Sequence, residues 1–143
     1  MSVSVGRKVP DFSAATTGGE VRLSRLKGRK VVLFFYPKDN TPGCTNEASD
    51  YRDHNADFAA AGAIVLGVSR DSMKSHDGFK SKLGLPYELV SDPDEALCEL
   101  FGVMKLKTMY GRQVRGVERS TFVIDAAGKL AHEGRGVKVP GHV

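Results

Sequence analysis

Cysteine is scarce in this chain, and long apolar runs are missing from it. Only Cys44 and Cys98 occur among its 143 residues, which excludes a disulfide scaffold and leaves two thiols to be read as catalytic or merely buried. The longest unbroken apolar run is residues 31–36, far short of the roughly 20 residues a membrane-spanning helix needs. The opening Met1-Ser2-Val3-Ser4-Val5-Gly6-Arg7 lacks the apolar core of a secretory signal, so cytoplasmic residence away from membranes is the expectation. Charge of one sign is lacking too. Lys and Arg number 21 against 17 Asp and Glu, a net charge of +4, and the two signs are interleaved. The one-sided span is Lys105, Lys107, Arg112, Arg115 and Arg119, and Tyr110 is its only aromatic residue. A nucleic-acid surface needs a denser basic stripe with stacking rings. That span reads instead as a solvated loop beside an anion-handling site.

Motif classes are excluded in the same way. His54, His76, His132 and His142 are scattered, with no Cys or His at ligand spacing, so neither a metal nor a cofactor is expected. Cys44 is followed by Thr45-Asn46-Glu47 rather than closing a Cys-x-x-Cys pair, which argues against a thioredoxin-type disulfide exchanger. The serines show no nucleophile-elbow pattern. With no repeat, low-complexity tract or linker to divide it, residues 1–143 are expected to form one domain.

What is present centres on residues 31–45. The run Val-Val-Leu-Phe-Phe-Tyr at 31–36 is rich in β-branched and aromatic residues and reads as a central strand buried on both faces. Pro37 ends its ladder. Thr41 then falls at a helix N-cap and Pro42 at the first helical position, which puts Cys44 in the first turn. There unpaired N–H groups and the helix dipole favour a thiolate. Position alone leaves two readings of Cys44, a nucleophile and a small buried hydrophobe.

The rest alternates strand and helix. Thr17-Gly18-Gly19-Glu20 reads as a tight hairpin turn returning into a strand over 21–24, and Lys27-Gly28-Arg29-Lys30 as the turn into the central strand. The first helix is expected to run on through Ala48, Tyr51, Asn55, Phe58 and Ala59 to a stop at Gly62. A strand over 63–69 follows, then a helix capped by Asp71 and closed at Gly84, and a short strand within 86–91. A helix capped by Asp92, with Pro93 first and Glu95 completing a capping box, is expected to bury Leu97, Leu100 and Phe101 and stop at Gly102. A long basic connection then leads to Arg119, a strand over 120–125, a turn at 126–128 and a last strand near 129–134. This describes an α/β domain with a mixed β-sheet flanked by helices and an N-terminal β-hairpin. Ligands in such sheets gather beyond the carboxyl ends of the strands, where Cys44 falls.

Pro37-Lys38-Asp39-Asn40-Thr41-Pro42-Gly43-Cys44 resembles the Pro-x-x-x-Thr-x-x-Cys signature of the peroxiredoxins. The surrounding Tyr36 to Thr45 and the distant Glu118 to Asp125 resemble the Q-type branch, also called bacterioferritin comigratory protein. The resemblance implies a thioredoxin-like fold and a thiol peroxidase that reduces hydrogen peroxide and organic hydroperoxides, with Cys44 passing from thiolate to sulfenic acid. Thr41 would turn its hydroxyl toward the peroxide, the amides of Gly43 and Cys44 would face the same space, and Pro37 would shield the sulfur. The family places Arg119 beside the sulfur, with Glu47 one turn on to orient it.

Two departures stand out. The resolving cysteine that many Q-type members carry five residues on is here Ser49. Cys98 remains, about 100° round its helix from Leu97, so a buried structural thiol is the commoner outcome and a resolving role the lesser one. The expectation is a one-cysteine cycle closed by an external thiol from thioredoxin, glutaredoxin or glutathione. A non-enzymatic peroxide-sensing thiol protein is the competing reading. The closing C-terminal helix of the family is not found after residues 136–143, so part of one helical layer is expected to be uncovered. A monomer is expected, with a dimer as the other option if an apolar patch is left open.

Overall fold

The computed structural model describes residues 3–135 apart from Lys27 and Tyr110. Residues 136–143, on which the expectation of an absent closing helix rests, lie outside that range, as does the aromatic Tyr110 of the basic span. Nine strands are described: β1 (Ser13–Thr16), β2 (Gly19–Arg22), β3 (Lys30–Phe35), β4 (Ala63–Ser69), β5 (Glu88–Ser91), β6 (Met104–Met109), β7 (Arg112–Val117), β8 (Ser120–Ile124) and β9 (Leu130–Arg135). The helices are α1 (Pro42–Asp53), α2 (Asn55–Ala60), α3 (Met73–Leu83) and α4 (Ala96–Leu100).

Seven strands form one sheet in the order β2-β1-β5-β4-β3-β8-β9. β3, β4 and β5 run parallel, while β8 is antiparallel to β3 and places Ser120 opposite Phe35. The sheet is therefore mixed, as expected. Both faces of β3 are buried, which is why its sequence is unbroken hydrophobe rather than alternating. Val31, Leu33 and Phe35 face one core with Leu97, Cys98, Phe101 and Phe122. Val32, Phe34 and Tyr36 face another with Cys44, Ala48, Tyr51, Phe79 and Leu89. Helices α1 and α3 thus cover one side and α4 the other.

The packing between α1 and the sheet is aromatic. Phe34 stacks on Tyr51 with ring centroids 4.3 Å apart and meets Tyr87 edge-on at 5.7 Å. Room for the Phe34 ring comes from Gly67, its register partner on β4. A Cβ there would lie 2.8 Å from Phe34 Cζ and 2.7 Å from Leu89 Cδ2, distances that close-packed atoms do not tolerate.

Several boundaries differ from expectation for local reasons. The hairpin turn is Thr17-Gly18, with Thr16 paired to Gly19, so the returning strand stops at Arg22 and Leu23–Leu26 forms a 3-10 turn. The first helix breaks at His54, whose backbone leaves the helical region at φ −100° and ψ 7°. Helix α3 is capped by Ser72, which accepts from Ser75 N–H, and Asp71 turns its carboxylate elsewhere. Its other end is as expected, with Gly84 left-handed at φ +62°.

Helix α4 begins at Ala96, not Pro93. Asp92 to Glu95 is instead a turn closed by Glu95 N–H on Asp92 O at 3.0 Å. The cap survives in longer form, because the Asp92 carboxylate accepts from the N–H groups of Leu97 and Cys98. Glu95, freed from the capping box, pairs with Arg70 and Arg115. Leu97 and Phe101 are buried and Leu100 is half-buried. The supposed loop from 103 to 119 is the antiparallel pair β6–β7. Its alternation of apolar and basic residues over Met104–Met109 is a strand signal that a reading of charge alone passes over.

Candidate active site

The site forms where β3 ends. Tyr36 N–H still bonds to Val68 O at 3.0 Å, after which Pro37 removes the next donor and the chain turns through Lys38, Asp39 and Asn40 into α1. Thr41 sits at the N-cap position, extended at φ −87° and ψ 152°, but makes no side-chain cap bond. Its hydroxyl donates to Lys38 O at 2.8 Å, which corrects the expectation of a side-chain cap. Pro42 is the first helical residue, as expected. Cys44 follows in the first turn, 1% exposed. The amides of Gly43 and Cys44 have no intrahelical acceptor, and Thr45 N–H is the first to bond back, to Thr41 O at 2.8 Å.

Arg119 reaches this turn from the other side of the sequence. It lies one residue before β8, and the antiparallel register of Ser120 with Phe35 carries it to the end of β3. Its guanidinium bridges two groups on α1, with Nη2 3.2 Å from Cys44 Sγ and Nη1 2.6 Å from Glu47 Oε1. Glu47 is fully buried, and its second oxygen has no partner among the described residues. Burial pushes the Glu47 carboxyl up to about 7, against the opposing charge and hydrogen bond of Arg119. Burial alone would lower Arg119, but the bonds to Cys44 and the charge of Glu47 outweigh it and raise it. Tyr87 donates to Ala48 O at 2.7 Å and fixes the middle of α1. Pro37, Thr41, Cys44, Glu47 and Arg119 are therefore gathered at one end of β3.

Cys98 is not part of this group. It is fully buried in the core on the opposite side of the sheet from Cys44. Burial, reinforced by the neighbouring Asp92 carboxylate, pushes its thiol well above the ordinary range.

A second polar cluster lies behind the loop, and sequence reasoning missed it. His76, Asp39 and Asp71 bring their ligand atoms within 4.8 Å of one another. His76, expected to be one of four scattered histidines, is fully buried. Its Nδ1 is 2.8 Å from Asp39 Oδ2 and its Nε2 2.9 Å from Val90 O. Tyr36 Oη and Ser75 Oγ also donate to Asp39, and Asp71 accepts from Asp39 N–H and Ser69 Oγ. These atoms bond one another, as in a hydrogen-bond network rather than an open ligand set. The signal was the residue pattern on α3, where His76 falls at three- and four-residue spacing with the inward-packing Phe79 and Leu83.

Comparison with known proteins agrees with this geometry. The model of the AhpC/TSA family matches residues 5–133. A putative peroxiredoxin bcp of Coxiella burnetii is 49% identical over 144 residues, covering all of this chain and 95% of that protein. Peroxiredoxin Bcp of Bacillus subtilis is also 49% identical, over all of this chain and 92% of its own length. A solved structure of the Xanthomonas campestris bacterioferritin comigratory protein, studied for alkyl peroxide reduction, superposes with a TM-score of 0.90 at 47% identity. It covers 98% of this chain and 90% of that one. With a helix-start cysteine held by a strand-borne arginine, and with relatives of this kind along its whole length, the chain belongs to the AhpC/TSA family, in its Bcp or Q-type branch of thiol-dependent peroxidases.

Proposed function

We propose that this chain works as a one-cysteine peroxidase on hydrogen peroxide and organic hydroperoxides, with Cys44 as the nucleophile. The thiolate sulfur attacks the terminal peroxide oxygen, the S–O bond forms as the O–O bond breaks, and the departing oxygen leaves as alkoxide or hydroxide and takes up a proton. Cys44 is then a sulfenic acid. The single observation that carries this reading is the Arg119 guanidinium, 3.2 Å from the sulfur and tied to Glu47 at 2.6 Å. A cation in that place stabilises the thiolate and the charge that develops on the oxygens.

Thr41 and Pro37 complete the site in this reading. The Thr41 proton is committed to Lys38 O, so the hydroxyl oxygen acts as an acceptor and takes the O–H of the incoming peroxide. The free amides of Gly43 and Cys44 offer donors to the peroxide oxygens, and half-buried Pro37 keeps water from the sulfur. Glu47 holds Arg119 in its fork geometry.

The sulfenic acid is reduced from outside. Position 49 is serine, and Cys98 is buried in the other core, so the reductant is a thiol of thioredoxin, glutaredoxin or glutathione, in the cytoplasm where such thiols are kept reduced. The protein works as a monomer, residues 1–143 acting as one peroxiredoxin domain. Among the described residues, no helix is long and apolar enough to cross a membrane. The test is peroxide consumption with each reductant offered separately, for the wild type and Cys44→Ser. Turnover with at least one reductant and none in Cys44→Ser is expected. A single stoichiometric oxidation without turnover, or a Cys44→Ser chain that still consumes peroxide, would overturn the proposal.

A further inference from the structure

The buried network behind the loop has no part in the chemistry just described, yet it touches that loop directly. Asp39 is two residues before Thr41, and its carboxylate receives three donors: Tyr36 Oη at 2.6 Å on one oxygen, and Ser75 Oγ and His76 Nδ1 at 2.8 Å each on the other. The other ring nitrogen of His76 is 2.9 Å from Val90 O, which only accepts. Both ring nitrogens thus face acceptors, and the imidazole is clamped between the Asp39 carboxylate and the Val90 carbonyl. Ser69 Oγ lies 3.4 Å from Nε2, and the Asp71 carboxylate completes the set of charged groups around the ring. Burial works to raise the Asp39 carboxyl, but the bonds from His76 and Tyr36 hold it below its ordinary range.

The route from this pair to the site runs through one peptide plane. Lys38 C=O and Asp39 N–H belong to the same rigid amide and point in opposite directions. Asp71 Oδ2 accepts from that N–H at 2.9 Å, and Thr41 Oγ1 donates to that carbonyl at 2.8 Å. Whatever fixes Asp39 therefore fixes the direction of the Lys38 carbonyl, and with it the rotamer in which Thr41 holds its hydroxyl. We infer that His76 is a positioning residue for peroxide reduction: through Asp39 it locks the 38–39 amide and so aims the Thr41 hydroxyl at the peroxide above Cys44. This rests on reading Cys44 and Thr41 as the reacting cysteine and its substrate-binding partner. Arg119 approaches from β8 and shares no atom with the network, so the network governs how peroxide is received and not how the sulfur is held.

That separation makes the inference testable. In a full chain carrying Cys98→Ala, so that one thiol reports, single-turnover oxidation of Cys44 by hydrogen peroxide is compared with its alkylation by iodoacetamide. His76→Gln and Asp39→Asn are each expected to slow oxidation by roughly 10- to 100-fold, the scale of a misplaced reacting group, while alkylation keeps its wild-type rate. The double variant is expected to be no slower than the worse single, since both break one coupling. Should His76→Gln fail to fold by circular dichroism, Asp39→Asn and the milder Ser75→Ala carry the same comparison. Wild-type oxidation in a folded His76→Gln or Asp39→Asn chain, or equal loss of both rates, would overturn the role of the network. Peroxide consumption by Cys44→Ser would instead remove the reading of the site beneath it, so the two failures are told apart.

Discussion

Arg119 and Glu47 carry the electrostatics of the site, and each makes its own prediction. One guanidinium spans Cys44 Sγ and Glu47 Oε1, a fork that an ammonium cannot reproduce even though it keeps the charge. Arg119→Lys is therefore expected to slow Cys44 oxidation by about 100-fold, comparable to losing one donor at a developing charge, as read by stopped-flow mixing with peroxide. Glu47 is held up to about 7 from its ordinary 4.5, mainly by burial. Because its neutral form is the one the fold favours, its contribution to stability is complete below about 4.5 and is lost as pH rises through about 7. Urea unfolding across that window should show wild-type stability falling relative to Glu47→Gln, which has no such proton to lose. A flat difference between the two would contradict the buried carboxyl. At this scale the positions of Pro37, Thr41 and Cys44 at a strand end and a helix start are legible from local spacing, because a helix start needs only neighbouring residues to announce it, while the parts given to Thr41 and Pro37 rest on the family resemblance. Arg119 is legible only by family resemblance, since nothing near it in the chain points to a sulfur 75 residues away. The buried placement of His76 was not legible at all, since Asp39 and Val90, which hold its ring, come from other elements.

At the scale of elements, what the sequence states well are the strands buried on both faces. The expected 63–69 strand is β4 to the residue, because a mostly hydrophobic run between a glycine stop and a polar turn has one good solution. Inside it, Gly67 is a packing requirement rather than a turn. Gly67→Ala is expected to cost about 1–3 kcal/mol, the range for overpacking a filled core, through contact with Phe34 and Leu89. Chemical denaturation with an unchanged m-value would check it. Helix starts were read less well. Asp92 reaches across a turn to the amides of Leu97 and Cys98, and a rule that counts residues from the cap cannot foresee that longer reach. The β6–β7 pair was hidden by its charge, which drew attention away from a period of two.

For the molecule as a whole, the sheet is a partition. Cys44 packs with Phe34 and Tyr51 on one side, Cys98 with Phe101 and Phe122 on the other, and a disulfide between them would need the partition to be breached. Cys98→Ala is therefore expected to leave peroxidase turnover with an external thiol unchanged. Mass spectrometry after one equivalent of peroxide should find Cys44 oxidised and no bond to Cys98. A Cys44–Cys98 bridge in the folded protein would contradict the one-cysteine cycle. The mixed sheet and its two helical layers were legible because alternating strands and helices allow few arrangements. Which side each thiol occupies was not, since that depends on the register of one short helix.

The register that sets Ser120 against Phe35 also joins the two halves of the site in time. A ribosome that has released the cysteine has yet to make the guanidinium, so the emerging sulfur is surrounded by water and unpaired. Only when the late strand zips against the early one does the thiol gain its cationic neighbour, so the pairing of sulfur and guanidinium becomes a report that β8 has closed on β3.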